Sequence, residues 1–117
     1  MLDQIQETLE TFGLPVCYGS DARLQGSNDW DYIVFRRSET DVIPSAKTDL
    51  TDRYELYIVR QDFVPEGEPE RVLDALVAIK GIRPAKEPIR YNYMFKPDTK
   101  AGMEVASFTV LAPRKRV

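Results

Sequence analysis

Asp29 and Asp31 stand one residue apart at the head of an apolar run, nine positions after the Gly19-Ser20 pair, in "YGSDARLQGSNDWDYIVFRR" (18–37). On a strand, alternation puts both carboxylates on one face, where they can grip a divalent cation through oxygen. Glu55, on the next apolar run, is the candidate third ligand, and Arg23 a candidate phosphate contact. A Gly-Ser turn followed by such carboxylates would serve metal-assisted phosphoryl transfer. The alternative is plainer: Asp29 and Asp31 are solvated residues at a strand entrance, flanking a half-buried Trp30. Spacing favours the plainer one. The nine positions from Ser20 to Asp29 leave little room for a phosphate-binding helix and a turn, and they contain Gly26, a poor helix residue. Residues 38–51, between the aspartates and Glu55, contain Pro44 and no helical stripe.

Other chemistries are narrowed by composition. The 117 residues include no histidine and one cysteine. That removes Ser-His-Asp and Cys-His catalysis, histidine zinc sites and imidazole switches. Cys17 sits in an apolar stretch, which suits a buried inert thiol better than a nucleophile. "GSDARLQGS" lacks the Gly-Lys-Ser/Thr ending of a phosphate loop. Net charge is −3, so the whole surface does not advertise nucleic-acid binding. The closing cluster Arg114, Lys115 and Arg116 is either a solvated tail or a contact for DNA phosphates or an acidic partner. No apolar run is long enough to span a membrane, and the first residues lack a signal-peptide pattern. Neither membrane association nor export by that route is expected.

The elements that would position these residues follow from periodicity. The length fits one domain, 1–117, and 43% apolar with 30% charged residues is the balance of a folded domain. Leu2, Ile5, Leu9 and Phe12 recur at helical spacing before Gly13 and Pro15, predicting a helix over 2–12. A short strand over 14–18 and a loop over 19–29 lead into a strand over 30–37. There Trp30, Tyr32 and Val34 face one way and Asp31, Ile33 and Phe35 the other. Both faces are apolar, so this strand should be central. Residues 38–51 read as a loop with a brief extended piece, and 52–61 as a second strong strand. Pro69 near the start and Gly81 past the end frame a second helix, with Val72, Leu73, Leu76 and Ile79 as its buried stripe. Tyr91, Tyr93 and Phe95 alternate with Arg90, Asn92 and Met94. They resemble a base-stacking platform, but such regular alternation fits sheet-to-helix core better. "PDTKAG" then turns the chain into an antiparallel return strand. The predicted fold is α+β: an antiparallel or mixed sheet of four to five strands, with two helices on one face.

Two families are similar in different degrees. The opening helix and "LPVCYGS" resemble the start of small metal-dependent nucleotidyltransferases, for which Asp29, Asp31 and Glu55 would be the metal ligands. A second resemblance runs through "MLDQIQETLETFGLPVCYG", "DWDYIVFRR", "DRYELYIVRQDFVPEGEPERVLDALVAIKGIR", "YNYMFKPDT" and "EVASFTVLAPRKR". Together these resemble the small tail-terminator, or tail-completion, proteins of long-tailed bacteriophages and prophages. That resemblance implies a structural protein of the virion tail and neck, assembled in the bacterial host cytoplasm. It implies a homo-oligomeric ring, typically a hexamer, that caps the tail tube and ends its polymerisation. Its partners would be the tail-tube protein and the head connector or completion protein, with DNA passing through the lumen. No catalytic residue, cofactor or metal is implied. Another neck component, such as a head-completion protein, is the neighbouring alternative. Subunit or partner contacts are expected at Asp29, Asp31, Arg36, Arg37 and Arg53, whose charges can be complementary between neighbours.

Overall fold

A computed structural model describes residues 1–20, 31–42, 49–95 and 102–115. In order they form α1 (Leu2–Glu10), β1 (Val16–Tyr18), β2 (Tyr32–Val42), β3 (Asp49–Gln61), α2 (Glu68–Val77), β4 (Arg83–Pro84), β5 (Arg90–Phe95) and β6 (Gly102–Lys115). The strands make one six-stranded sheet in the order β1-β2-β3-β6-β4, with β5 also paired to β6. β1 runs parallel to β2, and the remaining pairs are antiparallel. The fold is therefore α+β as the pattern predicts, with more strands than four to five and one parallel pair.

Both helices lie on one face of the sheet because each has one apolar stripe to bury. Ile5 and Leu9 of α1 and Val72 and Leu76 of α2 join Ile33, Phe35, Tyr54, Leu56, Ile58, Phe108 and Val110 in the main core. Each such side chain contributes about 1.5–3 kcal/mol when fully buried. β3 shows the alternation that builds this face: Asp52, Tyr54, Leu56 and Ile58 are buried, while Arg53, Glu55 and Tyr57 point the other way. The opposite face carries a second apolar cluster of Cys17, Tyr32, Val34, Val59, Met103 and Val105. β2 lies between β1 and β3, central as its two apolar faces require. Cys17 is buried.

Helix boundaries follow local chemistry. α1 ends at Glu10, and Gly13 takes φ 79° beyond it. α2 starts after Gly67, whose φ of 86° turns the chain, with Pro69 in the first turn. It ends at Val77, short of the Gly81 stop, so Lys80 lies beyond the last turn.

Three expectations are corrected. Within 38–51, residues 38–42 continue β2 and 49–51 open β3, so these are strand and not loop, while 43–48 lie outside the described residues. Their mostly polar side chains hid the strands, which are held by cross-strand pairing with Leu50 as the buried apolar residue among those described. A bulge at Ser38 shifts the register from Arg37↔Tyr54 to Glu39↔Arg53. The inserted residue turns Thr40 to the helix side, opposite Asp52. Next, Tyr91, Tyr93 and Phe95 do share the helix-side face, but they are exposed. α2 packs against β6, one strand inward, and β5 is exposed along its whole length. Finally, the chain's end is no free tail as far as Lys115, because β6 pairs with β3 to that residue. Long strands give the molecule its extents of 52 × 27 × 23 Å.

Candidate interaction surface

The helix-free face carries a band of paired charges along β2 and β3. Arg36 and Glu55 are direct cross-strand partners. The Arg36 Nε and Nη2 groups donate to one Glu55 carboxylate oxygen, Oε2, at 3.2 and 2.9 Å. The Tyr57 hydroxyl donates to the same oxygen. The Arg36 guanidinium lies 5.7 Å from the centre of the Tyr57 ring, within cation–π range. The bond from Tyr57 holds the Glu55 carboxyl below the usual range, assisted by Arg36 and opposed by burial. Burial and the bond to Glu55 push the Tyr57 hydroxyl up. Glu55 is thus held as an anion through its Oε2.

The band continues toward the far end of the sheet. Arg53 Nη2 donates to Glu87 at 2.5 Å, and Arg53 Nε lies 3.9 Å from Glu39. Glu55, Tyr57, Glu87 and Arg90 border a polar recess of about 390 Å³. Toward the other end this face turns apolar, and Tyr32, Val34, Tyr57, Val59, Met94 and Val105 line a hollow of about 340 Å³.

On the helix side, Asp52 is 2% exposed and is the buried charge among the described residues. Thr40 Oγ1 donates to its Oδ1 and Arg114 Nε to its Oδ2, each at 2.7 Å. Burial alone would raise the Asp52 pKa. The bonds from Arg114 and Thr40, with the charges of Arg114 and Arg37, outweigh it and hold the carboxyl below its usual range. Asp3, Arg37, Asp52 and Arg114 meet at a recess beside the start of α1.

Of the carboxylates considered for metal binding, the two that are described, Asp31 and Glu55, are not brought together. Asp31 Oδ1 accepts 2.9 Å from the Gln61 backbone N–H. It also lies 3.7 Å from Arg60 Nε, which reaches Glu68 of α2 at 3.6 Å. Asp31 therefore belongs to the helix side, whereas Glu55 faces away from the helices, several residues along β3. Asp29, Arg23, Trp30 and Arg116 lie outside the described residues. Of the expected contact residues, Arg36 and Arg53 belong to the charged band, whereas Arg37 sits on the opposite face beside Asp52. Arg114 is paired inside the molecule, and Lys115 forms the last rung of β6. Sequence reasoning missed Asp52, Thr40, Tyr57 and Glu87. Asp52 was detectable, because it opens the same-face series completed by Tyr54, Leu56 and Ile58.

The helix-free face thus carries a charged band in which Arg36 pairs with Glu55 and Arg53 with Glu87 and Glu39. The sequence matches no protein-family model and no curated protein.

Proposed function

We propose that this protein is a tail terminator: a structural protein that caps a phage tail tube as a homo-oligomeric ring and forms the surface that joins the head. The resemblance along nearly the whole chain supports this reading. The observation that carries it is the β2–β3–β6 arm. Its strands reach 11, 13 and 14 residues, and Arg36–Val42 of β2, past the rungs that β1 pairs with, are all exposed. Charges of both signs stand along it at fixed spacing: Arg36, Arg37, Glu39, Asp41 and Arg53. Fixed complementary charges set register and exclude wrong partners more than they add affinity. A ring subunit needs contacts of that kind on both flanks.

Light scattering and negative-stain microscopy of the purified protein test the reading. The expected result is a ring about as wide as a tail tube at high protein concentration, together with binding to tail-tube protein. A strict monomer at every concentration and salt, with no affinity for tube or connector protein, would overturn it.

A further inference from the structure

Among the described strands, β5 pairs with β6 alone. Among the described residues its outer row of backbone N–H and C=O groups therefore has no neighbouring strand. Edge strands are ordinarily protected by charge, proline, a bulge or short length. From Tyr91 to Phe95 the strand carries neither charge nor proline, and its register with β6 runs without a bulge. Tyr91, Tyr93 and Phe95 share one sheet face at 43%, 73% and 76% exposure, and Met94 stands on the other at 46%.

We propose that this edge pairs with β5 of a second copy, antiparallel across a two-fold axis beside Asn92. An axis perpendicular to the sheet keeps the same face of both copies together. It sets Tyr91 against the partner's Tyr93 and Phe95 against the partner's Ile89, giving one aromatic and apolar row. On the other face Arg90 meets the partner's Met94, so no like charges are opposed. Nucleic acid suits the edge less well. Glu70 and Glu104 act on Tyr91 and Tyr93, and their charge repels phosphate. At roughly 200 Å² for a whole aromatic side chain, the three rings offer about 400 Å² per copy. Two copies together approach the ~1,000 Å² of a small specific interface, so the pairing is weak and reversible. It closes on itself, and it stands independently of the ring in the proposed function.

Sedimentation of the full chain from micromolar to near-millimolar concentration tests this, scoring the mass of two copies separately from any larger ring. Wild type should shift from one copy to two. Tyr93→Lys should associate roughly tenfold more weakly. A lysine there can pair with Glu104, so the fold should persist, checked by an unchanged circular-dichroism spectrum. In a Cys17→Ala background, Asn92→Cys should oxidise to a covalent dimer, because facing residues of antiparallel strands lie within disulfide reach. A monomer throughout, a dimer unchanged by Tyr93→Lys, or a dimer that Asn92→Cys fails to cross-link would each overturn the pairing.

Discussion

Arg114 Nε and Asp52 Oδ2 lie 2.7 Å apart, joining the last residues of β6 to the start of β3. The Arg114 side chain is 47% exposed and that of Asp52 only 4%. That asymmetry predicts which substitution costs more. In Asp52→Ala, Arg114 can return to water and Thr40 loses one bond, a cost of about 1–3 kcal/mol. In Arg114→Ala, the carboxylate stays buried without its cation, so the loss should equal or exceed that. Urea unfolding of both variants at neutral pH measures the difference.

The same pair gives a pH dependence. The folded-state pKa of Asp52 is depressed below its unfolded value. Its contribution is therefore fully present above the ordinary aspartate range of about 4, and is lost as pH falls through the lower folded value. Asp52→Asn should flatten the acid limb of the stability curve. Arg114→Ala should move that limb to higher pH, because the cation that holds the carboxyl ionised is gone. Thermal unfolding across acidic buffers reads both shifts.

Asp31 and Glu55 give a different expectation. One is tied to the backbone of Gln61 beside Arg60, and the other is bonded to Arg36 and Tyr57 on the opposite face. Magnesium with a nucleoside triphosphate should leave the melting temperature unchanged, and Asp31→Asn should not alter that response. A ligand-dependent rise that Asp31→Asn abolishes would revive the phosphoryl-transfer alternative, since a bound ligand stabilises by mass action.

The legible parts of this fold are those that periodicity controls. The stripes Ile5–Leu9 and Val72–Leu76 and the alternation through Tyr54, Leu56 and Ile58 specify two helices and a sheet. What sequence could not supply was pairing partners. Glu39, Thr40 and Asp41 look like loop residues until Arg53, Asp52 and Thr51 are seen opposite them. Tyr91, Tyr93 and Phe95 have the alternation of core residues. Whether a helix covers them depends on how far α2 reaches across the sheet, which no local pattern encodes. Glu55 stood out in the sequence only as a candidate third metal ligand, and the partners it has in the structure come from a neighbouring strand and from Tyr57 two residues on.

Gly67 precedes α2 with φ 86°, a region that costs an L-residue roughly 1–2 kcal/mol. A Cβ there would also lie 3.1 Å from Arg71 Nη1, which must then move. Gly67→Ala should destabilise by about that amount, whereas Ala78→Gly, outside the helix, should cost less. Chemical denaturation of the two variants makes the comparison.

Arg36 separates stability from assembly. Its pair with Glu55 is half in solvent, and exposed pairs contribute about 0–1 kcal/mol. Arg36→Ala should therefore melt close to wild type. If the charged band is the flank by which ring subunits meet, the same variant should assemble poorly, and a rise in salt should weaken wild-type assembly in the same sense. Arg36→Lys keeps the charge but loses the two-donor contact to Glu55, and so should fall between them. Light scattering over a salt series, beside melting curves of the three proteins, checks this. Assembly unchanged in Arg36→Ala would remove that residue from the ring contact. Assembly and melting temperature falling together would mean that Arg36 acts on the fold and not on the contact.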